Sequence, residues 1–94
     1  MFKLSISSKT IKPQEIAGTW VTAHGYVRQE LRVDGRYDEA RGFRTSAYRG
    51  TWTVTGNRID YLDDLGFTAQ AEVIDGVLHH AGMRLYRVDS GIAA

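Results

Sequence analysis

Three side chains are the candidates for acid–base catalysis in this sequence: the carboxylates of Glu39 and Asp63 and the imidazole of His80. Such groups must converge on one substrate to transfer protons, and the same groups can equally hold a ligand by hydrogen bonds. Their spacing does not distinguish catalysis from binding, so we assign no catalytic residue. Asp64 follows Asp63 directly, but it has the position of a turn residue, and we do not interpret the two as a carboxylate pair.

The sequence indicates no metal site and no cofactor. It contains no cysteine, and His24, His79 and His80 match no pattern of metal ligands. His79 and His80 are adjacent, so in a strand they point to opposite faces and cannot chelate one ion together. The glycine-rich phosphate-binding motif and the serine nucleophile motif are both absent.

Length and charge limit the classes of function. With 94 residues the chain has room for a single globular module, and its 12 basic and 11 acidic residues leave a net charge of +1. This balance provides no basic surface for nucleic acid or for an anionic membrane, and we expect neither as a partner. Ser7, Ser8 and Lys9 stand where a secretion signal needs an apolar run, so we expect a cytoplasmic protein.

Glycine-bearing turns divide the chain into short strands. Pro13 suits the first position of a short helical turn, and after it no stretch keeps a helical period. The turns predict an all-β fold, a small closed antiparallel up-and-down barrel of about eight strands. We expect an N-terminal segment over residues 1–16 and one barrel domain over 17–94. The predicted strands are 17–23, 26–33, 36–41, 48–55, 58–63, 67–74, 77–80 and 83–88.

Hairpin pairing predicts which side chains point into the barrel, because residues that flank a short turn face each other on the same side of the sheet. Starting from an inward Trp52, one register satisfies nearly every turn; Asp34-Gly35-Arg36 must then be read as a longer loop that brings Tyr37 inward beside Val33. Inward polar residues gather at the end that carries a predicted loop over 42–47. Inward apolar residues fill the opposite end.

This segregation predicts a cavity with an apolar floor and a polar mouth, in which the small residues Gly50, Ala69 and Ala71 leave room for a ligand. The alternative is a network of polar side chains that face water at the rim, but burying so many polar groups without a task is costly. The candidate ligand-binding residues are Gln29, Glu39, Arg41, Tyr48, Trp52, Tyr61, Asp63, Phe67, His80 and Met83.

Two sequence patterns resemble known barrels. Gly18-Thr19-Trp20 on the first strand, with Arg87 on the last, resembles the lipocalin arrangement in which an arginine packs over a tryptophan. The longer pattern is similar to a family of short bacterial proteins described as streptavidin-like, lipocalin-like barrels that bind small ligands. The resemblance implies the fold and a small-molecule pocket, and it supplies neither a ligand nor catalytic residues. Residues 48–52, 59–69, 75–83 and 85–87 carry this pattern.

We therefore expect the barrel to bind a small, partly apolar molecule in its cavity. One alternative is a small barrel-type isomerase or cyclase that uses the acid–base residues of the cavity. Another is a structural or oligomerising barrel without a ligand. We also consider a homodimer that forms through the outer barrel face. The sequence does not decide between binder and enzyme, and we prefer the binder because it needs only shape and hydrogen bonds.

Overall fold

Eight strands follow one another around a single core in the computed structural model, which describes residues 11–88. Each strand pairs antiparallel with the next, and β1 pairs with β8, so the sheet closes into a barrel. The all-β barrel and the short helical turn before it are both confirmed. The elements are α1 (Pro13–Ile16), β1 (Gly18–Thr22), β2 (Val27–Leu31), β3 (Arg36–Arg41), β4 (Arg44–Thr55), β5 (Arg58–Asp63), β6 (Thr68–Ile74), β7 (Val77–His80) and β8 (Met83–Val88).

Within residues 11–88, no helix has the length and apolar character needed to cross a membrane. The ends of the predicted N-terminal segment and of the predicted barrel domain, residues 1–10 and 89–94, lie outside the described residues.

Most hairpin registers agree with the turn-based prediction. Thr55 pairs with Arg58 across the Gly56-Asn57 turn, as expected for a tight hairpin. The pairs across the β6–β7 and β7–β8 turns also match, and they place Leu78 and Leu85 in the core at 0% exposure. Alternation along each strand therefore builds the interior in the way the turn chemistry predicts.

The β2–β3 turn differs from the prediction. Leu31 pairs with Tyr37, so the turn takes in Val33, which leaves the sheet and is 69% exposed. The inward orientation predicted for Val33 is therefore wrong. Tyr37 still points inward because the register differs by two residues, and side chains in a strand alternate with a period of two.

The predicted loop over residues 42–47 is also wrong. The chain turns at Gly42 and Phe43, and β4 already begins at Arg44. The register between β3 and β4 shifts between Glu39 and Arg41, an irregularity of the kind that bends a strand and increases its twist.

Trp20 seals one end of the barrel together with α1. Its side chain is 2% exposed, and its indole Nε1 donates a hydrogen bond of 3.0 Å to the carbonyl oxygen of Ile16. The Arg87 guanidinium lies 4.8 Å from the centre of the indole ring and donates hydrogen bonds to the carbonyl oxygens of Glu15 and Ala17. Apolar, cation–π and hydrogen-bond contacts thus converge on one side chain.

Gly18 makes room for this arrangement. Its φ is +140°, and a Cβ at this position would lie 2.6 Å from Nη1 of Arg87. A side chain there would push the guanidinium off Trp20, which explains why a glycine precedes the tryptophan at the beginning of β1.

We expect Trp20→Ala to lower the free energy of unfolding by about 3–5 kcal/mol, because it removes a large buried aromatic and leaves Arg87 without its ring. Chemical denaturation followed by the fluorescence of Trp52 measures the change. Phe43→Ala, which truncates a fully exposed aromatic, is the control and should have little effect. A loss below about 1 kcal/mol for Trp20→Ala would show that Trp20 does not hold this end of the core.

Candidate functional site

A cavity of about 170 Å³ lies at the end of the barrel opposite α1. Its walls include the last residues of β3, β5 and β7 and the first of β6, so it opens where the β3–β4, β5–β6 and β7–β8 turns meet. This is the end at which the sequence places the polar inward residues. The lining residues are Tyr37, Glu39, Arg41, Tyr48, Tyr61, Asp63, Phe67, Thr68, Ala69 and His80.

Most of the candidate residues named from the sequence meet in this lining. They are Glu39, Arg41, Tyr48, Tyr61, Asp63, Phe67 and His80. Gln29 lies directly behind the lining at 0% exposure, where it bonds to two of these residues.

Trp52 and Met83 do not line this cavity. The indole Nε1 of Trp52 donates a hydrogen bond of 2.9 Å to the carbonyl oxygen of Arg32, which draws the ring toward the β2–β3 turn at the closed end. Met83 is half-buried and borders a separate depression beside Tyr26. Their inward direction in the sheet is therefore not enough to bring them to the cavity.

Tyr37, Thr68 and Ala69 line the cavity but are not among the candidates from the sequence. Tyr37 is the second residue of β3 and lies next to a turn of the closed end. However, it pairs with Gly50, and Gly50 pairs with Asp63 at the end of β5. Strands in a barrel are tilted and staggered, so this row of residues crosses the barrel at the level of the mouth.

Gly50 is required at the centre of this row. A Cβ there would overlap the carbonyl oxygen of Leu62, so the close approach of β4 and β5 allows only glycine. Gly50 therefore allows the strand pairing that places Tyr37 and Asp63 on either side of it.

A chain of hydrogen bonds orders the polar side of the cavity. The hydroxyl of Tyr61 donates to Oε1 of Gln29 at 2.5 Å, and Nε2 of Gln29 donates to Oε1 of Glu39 at 2.8 Å. Nε of Arg41 donates to the other carboxylate oxygen of Glu39 at 2.7 Å. The Glu39 carboxylate, 4% exposed, thus has a partner on each oxygen, as a buried charge requires.

Aromatic rings form the rest of the wall. The ring of Tyr61 meets that of Tyr37 edge to face at a centroid distance of 5.1 Å and lies 5.3 Å from that of His80. Nδ1 of His80 is 3.1 Å from the carbonyl oxygen of Gln70, which can only accept, so Nδ1 carries a proton. In the neutral ring Nε2 is then an acceptor.

Burial keeps both phenols of the wall protonated. It raises the pKa of Tyr37 to about 12, with a further contribution from the negative charges of Asp63 and Glu39. Burial also raises the pKa of Tyr61, and the nearby Glu39 adds to the shift. Near neutral pH both hydroxyls are therefore hydrogen-bonding groups and not bases.

The structure offers no metal centre in the part of the chain it describes: over residues 11–88, no three histidine or carboxylate side chains lie close enough to hold an ion.

A family model described as Agrobacterium tumefaciens protein Atu4866 matches residues 13–87. The chain belongs to the Atu4866 family. The solution structure of the protein Atu4866 from Agrobacterium tumefaciens shares 57% identity with it, covers 76% of this chain and 91% of that protein, and superimposes with a TM-score of 0.69. Among curated proteins no sequence matches the chain. Every residue that lines the cavity falls within residues 13–87, the range that the family model matches.

Gln29 is the central link of the hydrogen-bond chain, so we expect Gln29→Met to lower the free energy of unfolding by about 1–3 kcal/mol. Methionine nearly keeps the shape, but the Tyr61 hydroxyl and one Glu39 oxygen lose their partners. Thermal and urea unfolding measure the change.

The matched control is Gln70→Met on the outer face, where the side chain is exposed and, within residues 11–88, bonds only to Asp60. It should change stability by less than about 0.5 kcal/mol. Equal effects of the two substitutions would mean that the network behind the cavity contributes nothing specific to the fold.

Proposed function

We propose that this member of the Atu4866 family binds a small, partly apolar molecule in the cavity at the open end of the barrel. The observation that carries the proposal is the composition of the wall: aromatic rings of Tyr37, Tyr48, Tyr61 and Phe67 stand beside a few polar groups that are already held in place. Small-molecule sites generally have this constitution. The resemblance to streptavidin-like and lipocalin-like barrels adds support.

The size of the cavity limits the ligand. A volume of about 170 Å³ is close to that of a protein cavity of about 150 Å³ that accepts benzene. A ligand of roughly ten non-hydrogen atoms fills it, with its polar end free to reach the mouth. We therefore propose a compact ligand with a single ring or an equivalent branched apolar group.

Two titratable groups of the lining, Tyr37 and Glu39, favour binding over catalysis. The high pKa of Tyr37, about 12, prevents that phenol from acting as a base near neutral pH. Both oxygens of Glu39 are already engaged by Gln29 and Arg41. The cavity thus presents hydrogen-bonding groups in fixed positions, and the isomerase or cyclase alternative and the structural barrel are left as outcomes of the experiment below.

A cytoplasmic location and a homodimer through the outer barrel face stay predictions. Leu62, Ile74 and Tyr86 are apolar side chains exposed on that face, at 51%, 44% and 44% of their area, and they support the choice of this surface for self-association.

Filling the cavity tests the proposal. Ala69 lines it, so Ala69→Leu places three more carbon atoms in the space that the ligand needs. In a fragment screen followed by backbone amide chemical shifts, we expect the parent to bind compact aromatic fragments with shifts concentrated at the cavity. The filled variant should bind at least about tenfold more weakly.

Ala40→Leu is the matched control, because Ala40 is paired with the exposed Arg28 and takes no part in the lining. It should bind like the parent. Fragments that bind both leucine variants equally well, or that shift only outer-face residues, would show that the cavity is not the site. Chemical conversion of a bound fragment would favour the enzyme alternative.

A further inference from the structure

The charges around the cavity do not balance. Among the lining residues, Glu39 and Asp63 carry carboxylates and Arg41 carries a guanidinium. Arg41 pairs with Glu39 at 2.7 Å, and these two charges compensate each other. Within residues 11–88 no lysine, arginine or histidine forms an ion pair with Asp63. Its Oδ1 accepts one hydrogen bond of 2.6 Å from the amide of Leu65.

The neighbouring Asp64 shows the contrast. Arg36 holds its two carboxylate oxygens with hydrogen bonds of 2.9 and 2.7 Å, and this contact lowers the pKa of Asp64. Arg36 is therefore engaged by a carboxylate that does not line the cavity. Of the two successive carboxylates, the one that lines the cavity is left uncompensated.

A second, independent observation concerns the hydroxyl of Tyr37, which has no hydrogen-bond partner among residues 11–88. The residue is 6% exposed and lines the cavity. A hydroxyl held in this way is ready to bond to a ligand.

The aromatic wall favours positive charge. The faces of aromatic rings attract cations, and the cavity already shows one such contact, with the Arg41 guanidinium 5.3 Å from the centre of the Tyr48 ring. Asp63 and Glu39 also contribute to the raised pKa of Tyr37, which means that their negative potential extends to its hydroxyl.

We propose that the ligand is a ring-sized organic cation, an amidinium or ammonium compound, whose charge pairs with Asp63 and whose ring packs against the aromatic wall of the cavity. This rests on the proposed function and names the class of ligand for the same site. An anion is disfavoured because the one guanidinium in the lining is neutralised by Glu39, and the approach to it passes the negative charge of Asp63.

Three probes of nearly identical shape test the sign of the charge. Benzamidinium, benzamide and benzoate are planar and differ chiefly in being cationic, neutral and anionic. Titrations of the full chain at neutral pH, followed by amide chemical shifts, give their relative affinities. We expect benzamidinium to bind about tenfold more tightly than benzamide, with benzoate the weakest of the three.

Asp63→Asn tests the residue. Asparagine keeps the oxygen that accepts from Leu65, so the turn is preserved while the charge is removed. The advantage of benzamidinium over benzamide should fall to about twofold or less, and the affinity for benzamide itself should not change. The matched control is Asp64→Asn, which removes the adjacent charge outside the lining and should keep the advantage.

The results separate this inference from the proposed function. If benzamide or benzoate binds at the cavity as tightly as benzamidinium, the ligand is not a cation, although the cavity is still a binding site. Equal loss in the two asparagine variants would overturn the role of Asp63. If none of the probes shifts cavity residues in the parent, and a broad fragment screen also finds no cavity ligand, the proposed function itself fails.

Discussion

Closure of the eight-stranded sheet is the constraint on which the rest of this structure depends. A closed barrel must tilt and stagger its strands, and the stagger decides which inward residues share a level. In this chain it aligns Tyr37, Gly50 and Asp63 across three neighbouring strands. Gly50 lets β4 and β5 approach closely, and its two neighbours in the row, a phenol and a carboxylate, both line the cavity.

The two ends of the barrel satisfy their polar groups in different ways, and this difference leaves one end open. At the closed end α1 covers the core, and backbone carbonyls of α1 and of the residue after it accept from Trp20 and Arg87. At the other end no helix formed by residues 11–88 covers the core. Side chains there must satisfy one another, and Gln29 does so by linking Tyr61 to Glu39. A buried polar network whose members are all hydrogen-bonded is rigid.

Preorganisation and charge together give the cavity its chemical character. Arg41 and Glu39 compensate each other, so the pair contributes fixed hydrogen-bonding groups and little net charge. Asp63 contributes the unbalanced charge, and aromatic side chains line the same cavity. The interactions that order the open end of the barrel therefore also favour one charge of ligand over another in the cavity.

Turn chemistry and alternation, both local properties of the sequence, determined the eight strands, the side of the sheet to which most residues point and the end at which the polar ones gather. They also identified Glu39, Tyr61 and His80 as neighbours. Only the tertiary structure decided that Tyr37 reaches the cavity, because stagger is set by closure of the whole sheet. Likewise, Trp52 leaves the cavity because its indole finds a carbonyl acceptor in the β2–β3 turn, a turn that the sequence placed in the wrong register. The side of the sheet to which a residue points is set locally, by alternation along its strand. Its height in the barrel and its hydrogen-bond partners depend on contacts between distant strands.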